Sequence, residues 1–182
     1  MTVEMKNTSA ALVELVTGDG SMSERTDIES RLLEMGFRLP QAIEPRAEYV
    51  AAKRVGDLVY VSGQGPITAQ GTAYVGQVGG SVTPGEAYTA AQICALNGLA
   101  AVKSLVGSLE MVEEIVQVRG FVNSAAGFHD QPRVVDGASE LLVKVFGSKG
   151  QHARAALGTS SLPSNIPVEI EMLVRIKPGV GA

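Results

Sequence analysis

The sequence predicts an α+β fold in which a single sheet carries two main helices on one face. Three observations predict it. The apolar period changes from 3.6 to 2 beyond Pro45. A long helix opens at Thr83-Pro84-Gly85-Glu86. Pro167 to Ile176 alternates strictly, with Val168, Ile170, Met172, Val174 and Ile176 on one face and Glu169, Glu171, Leu173 and Arg175 on the other. The 182 residues suit one domain whose core needs no disulfide or metal staple.

Taken in order, residues 1–21 read as a flexible tail ending in the break Thr17-Gly-Asp-Gly-Ser21. Residues 22–44 read as a short helix and connector. Ser23 is placed to cap a helix bearing Ile28, Leu32, Leu33 and Met35, and Gly36 stops it. The α+β domain proper spans 45–178. Glu48–Lys53 and Leu58–Ser62 flank Val55-Gly56-Asp57 as a hairpin. Gly63 to Gly80 is a glycine-rich loop with a short extended piece at Ala73–Val75. At the next boundary Thr83 caps, Pro84 suits the first helical position and Glu86 completes a capping box. The helix behind it lines up Ala87, Ala91, Cys94, Ala95, Leu99 and Val102, so Cys94 reads as buried filler and not as a nucleophile. Glu113–Val122, rich in β-branched residues, is a strand, Arg133–Phe146 a second helix ended by Gly147, and Ala153–Leu157 a short strand.

Composition excludes several functions. A net charge of −4, scattered Lys and Arg, 4% aromatic residues and no Trp speak against nucleic-acid or anionic-membrane binding. No run of about 18 uninterrupted apolar residues suggests a membrane span, and the first 20 residues fit a secretory signal poorly, so a cytoplasmic location is expected. His129 and His152 stand at no metal-ligand spacing, so no metal site is expected, and both read as surface or loop residues. The glycine-rich segments match neither a dinucleotide fingerprint nor a P-loop.

One segment goes further. His152-Ala-Arg154-Ala-Ala-Leu-Gly158-Thr-Ser-Ser-Leu162-Pro163, followed by Val168-Glu169-Ile170-Glu171, resembles the C-terminal signature of the reactive-intermediate deaminase (Rid, YjgF-like) family. Tyr49, and Leu58-Val-Tyr-Val-Ser62-Gly63-Gln64 with Pro66, resemble a second family block. The resemblance runs from about Pro45 to Ile176. It implies a chorismate-mutase-like fold with a mixed sheet, a homotrimer with sites between subunits, and no cofactor. The implied activity is hydrolysis of reactive enamines and imines, such as 2-aminoacrylate and 2-imino acids, to a 2-keto acid and ammonia.

The resemblance also implies residue roles. Arg154 corresponds to the family's carboxylate-gripping Arg, for which the planar guanidinium is well shaped. Glu169 corresponds to the Glu that orients the attacking water and takes its proton. Tyr49, Ser62 and Gly63 correspond to pocket residues. Two positions depart from the family pattern. Ala156 stands where many relatives have Cys, and Asp136 falls where they have a pocket Asn. An acid at Asp136 either repels a substrate carboxylate or selects a substrate bearing an amine. The alternative to the enzyme is a protein of the same fold that binds or senses a small carboxylate without turning it over. A ribonuclease ranks lower, given the acidic composition.

Overall fold

The computed structural model describes residues 27–45 and 47–179. Helix α1, Ile28–Glu34, is capped by Asp27, whose side chain accepts from the Ser30 backbone N–H. This corrects the capping role expected of Ser23, which lies with the tail 1–21 outside the described residues. Ile28 and Leu32 bury against the core, whereas Leu33, expected on the apolar face, is exposed.

Strands β1, Ala52–Val55, and β2, Leu58–Gln64, form the expected hairpin, turning through Gly56 and Asp57 with Gly56 at φ 61°. Strand β1 starts four residues later than the alternation suggested, so Tyr49 lies in a bend ahead of it. The glycine-rich loop holds a small hairpin, β3 (Ile67–Thr68) with β4 (Gly71–Thr72). This replaces the extended piece expected at Ala73–Val75. The buried Asn97 decides the loop's path, its Nδ2 donating to the carbonyls of Gly65 and Ile67.

Helix α2, Pro84–Val106, has the expected capping box, with Thr83 and Glu86 satisfying each other's backbone N–H groups. It is long and apolar enough to cross a membrane, but most of it is buried in the core. Strand β5 (Val112–Asn123), helix α3 (Gln131–Phe146), strand β6 (Ala153–Thr159) and strand β7 (Val168–Ile176) complete the chain. The five-stranded sheet has the order β1-β2-β7-β5-β6. Only β5 and β6 run parallel, and α3 is their crossover. Helices α2 and α3 cover one face, burying Val59, Val61, Val118, Ile170, Met172 and Val174. The other face is left open, with Tyr60 and Leu157 exposed on it.

The two helices approach closely because Gly137 faces the backbone of Tyr88, where a Cβ would overlap the Tyr88 carbonyl. Gly137→Ala is therefore expected to cost about 1–3 kcal/mol despite the better helix propensity of Ala. A thermal melt showing no loss would contradict this packing.

Candidate active site

Register decides which site residues can meet. Arg154 on β6 pairs with Val118, and Val118 with Met172, a row on the helix-covered face. Leu157, Phe121 and Glu169 form a row three residues further along β5, hence on the open face. Arg154 and Glu169, expected to act on one substrate, thus lie on opposite faces of the sheet within one chain.

On the helix side, Arg154 Nη1 donates to Asp136 Oδ1 at 2.6 Å and to Ser139 Oγ at 3.2 Å. Both partners come from α3, three residues apart on one helical face. Ser139 Oγ lies 3.0 Å from His152 Nε2, and His152 Nδ1 lies 2.6 Å from the Gly150 carbonyl. The directions follow from the chemistry. A guanidinium only donates, so Ser139 accepts from Arg154 and gives its own proton to His152 Nε2. That needs the Nδ1–H tautomer, which the Gly150 carbonyl also requires. Burial lowers the His152 pKa, the hydrogen bond to the Gly150 carbonyl offsets part of this and the nearby Arg154 charge adds to the lowering, which together favour the neutral ring.

His152 is therefore half-buried and bonded, not the surface residue expected, whereas His129 is exposed in a loop. Ser139 was missed altogether. Its signal was present, because His152 stands two residues before Arg154 at the entry to β6 and Asp136 and Ser139 share a helix face at i, i+3.

On the open face, Glu169 packs directly over Gly63 at the β2 irregularity between Val61 and Gln64, in the space where a Cβ on Gly63 would stand. Burial raises the Glu169 pKa, and neighbouring Glu171 raises it further. Glu171 is itself paired with Arg119 at 2.7 Å. Beside them a groove of about 570 Å³ is lined by Tyr49, Lys53, Ser62, Arg119, Glu171 and other residues. Ser62 Oγ donates to the Val50 carbonyl at 2.7 Å, which ties the Tyr49 bend to β2. Tyr49 and Ser62 thus share the groove and Glu169 sits against Gly63 on the same side of the sheet, while Arg154 and Asp136 form a second cluster elsewhere. Gly63→Ala is expected to push the Glu169 side chain aside while leaving the melting temperature within a few degrees. A crystal structure of the variant would show whether the carboxylate moves.

Cys94 is fully buried, its Sγ 3.6 Å from the Val168 carbonyl, and burial raises its thiol pKa well above the ordinary value. It packs as expected and offers no thiolate. Among the described residues, no group of three or more His, Cys, Asp or Glu is arranged to hold a metal.

Sheet order, helix layer and the two clusters define an α+β domain of the chorismate-mutase-like class. Residues 29–174 match the family described as "YjgF/chorismate mutase-like, putative endoribonuclease", and the chain belongs to that family. It is 37% identical to Protein TCP17 of Trypanosoma cruzi over 150 residues, 82% of this chain and 94% of that one. Among solved structures, a protein of unknown function from Agrobacterium tumefaciens shares 45% identity and a TM-score of 0.78, over 82% of this chain and 92% of its own. One from Shewanella oneidensis, called a "putative endoribonuclease", shares 30% identity and a TM-score of 0.80, over 82% and 99% of the two chains.

Proposed function

We propose that this protein hydrolyses reactive enamine and imine intermediates of the 2-aminoacrylate and 2-imino acid type to 2-keto acids and ammonia, without a cofactor. The observation that carries this reading is Glu169. It is a half-buried carboxylate of raised pKa held against a backbone with no Cβ, two residues along the strand from Glu171, which lines a groove of small-molecule size. Such a group takes a proton from water near neutral pH more readily than an ordinary carboxylate. Arg154 holds the substrate carboxylate. Glu169 orients water onto the imine carbon and accepts its proton. The carbinolamine then expels ammonia.

Because Arg154 and Glu169 lie on opposite faces, a site containing both is completed by a second copy of the chain, in keeping with a homotrimer. The open face, with Tyr60 and Leu157 exposed, is the surface such a copy would cover. The engagement of Arg154 by Asp136 favours one alternative, a protein that binds a small ligand without turnover. Endonucleolytic action on RNA gains little support from a chain of net charge −4.

The test generates 2-iminopropionate in situ from alanine with an amino-acid oxidase and follows imine loss by semicarbazide trapping. Acceleration proportional to the protein supports hydrolysis. No acceleration at high protein concentration leaves the ligand-binding reading.

A further inference from the structure

We propose that Asp136 is a specificity-determining residue, making the Arg154 site select ligands that carry a cationic nitrogen beside the carboxylate. For the reaction proposed above, on which this inference rests, that ligand is the iminium form of a 2-imino acid. Asp136 Oδ1 accepts from Arg154 Nη1, while Oδ2 has no hydrogen-bond partner among the described residues, and the side chain is 41% exposed. Both hydrogen bonds of the guanidinium start from Nη1, so Nη2 and Nε are left to meet a carboxylate. The chain from Ser139 through His152 to the Gly150 carbonyl holds that orientation.

The surrounding charges point the same way. Glu140, one helical turn beyond Asp136, is taken up by the Tyr88 hydroxyl at 3.0 Å and by Lys144 at 3.3 Å. Asp136 and Arg154 therefore form a pair of zero net charge. A simple carboxylate docking on Arg154 sets a second anion beside Asp136, whereas a ligand bearing both charges meets an opposite charge at each end. A 2-imino acid in its reactive form has these charges: R–C(=NH2+)–COO− plus water yields R–CO–COO− plus NH4+. Asp136 accepts an iminium N–H and favours the protonated nitrogen, which makes the carbon more electrophilic. The keto-acid product has lost that N–H and that charge, so the same residue promotes product release.

The test is calorimetry with L-alanine, which bears both charges, and pyruvate, which bears one, on the wild type, Asp136→Asn and Asp136→Glu. Asn can still accept from Arg154 but has no charge. The wild type and Asp136→Glu are expected to bind alanine more tightly than pyruvate. In Asp136→Asn, alanine binding is expected to weaken and pyruvate binding to tighten, each by about tenfold, the scale of one unit charge a few ångströms away in a half-exposed site. Opposite signs are the signature, because a structural role would weaken both. Parallel changes, no change, or failure of the wild type to bind either compound would overturn the proposal. Imine hydrolysis failing in a wild type that still prefers alanine would sink the catalytic reading and leave this one standing.

Discussion

Arg154→Ala is expected to lower kcat/KM for 2-iminopropionate by about one to four powers of ten, the value of one or two charge-assisted hydrogen bonds at about 1.5–3 kcal/mol each. Most of the loss should appear in KM, because a grip on the carboxylate is made in substrate and transition state alike. Arg154→Lys keeps the charge but lacks the planar fork that serves Asp136, Ser139 and a carboxylate together. It is expected to recover only part of the activity. Stability should change little, because the Arg154–Asp136 pair is partly exposed and such pairs contribute about 1 kcal/mol or less. Unaltered turnover in a folded Arg154→Ala protein would remove Arg154 from the site.

Glu169→Gln is expected to lower kcat by about 10²–10⁴-fold, the usual contribution of a positioned acid–base group, with KM nearly unchanged. The pH dependence gives a second signature. In the proposed role of base, Glu169 works when ionised, so wild-type activity is expected to fall as the pH drops through its pKa. Burial, and then Glu171, place that limb above the ordinary carboxylate range. Stability runs the opposite way. With its folded pKa above the unfolded one, the native protein holds more protons across that window, so stability is greater below it and is lost as pH rises through it. Glu169→Gln should flatten both dependences and melt no lower than wild type at neutral pH. An acid limb persisting in residual Glu169→Gln activity would assign it to another group.

Much of the scaffold was legible because its signals are local. The capping box at Thr83–Glu86 requires four consecutive residues, and the faces of β7 follow from a two-residue period that nine residues repeat. The short pieces were harder. The β3–β4 hairpin depends on Asn97, thirty residues away in sequence and buried in α2, holding the loop carbonyls. Leu33 was misplaced because seven residues of helix present too little periodicity to fix a face. For the site, the motif blocks drew attention to Arg154, Glu169, Tyr49, Ser62 and Gly63, and Asp136 stood out as a departure from the family pattern. Ser139 was marked only by its i, i+3 spacing from Asp136 on one helix face, a spacing that many helix residues share.

Local sequence signals were enough for the order of the main helices and strands, the buried role of Cys94, the two-faced character of β7 and the segments that carry the candidate site. These are properties of residues a few positions apart, set by backbone periodicity and capping. Tertiary structure alone decided that Arg154 and Glu169 stand on opposite faces, that Asp136 and Ser139 reach Arg154, and that Glu169 fills the space beside Gly63. Each of these depends on strand register or on the seating of α3, which are settled by long-range pairing and core packing. A shift of one residue in either β6 or β7 would send its site residue to the other face.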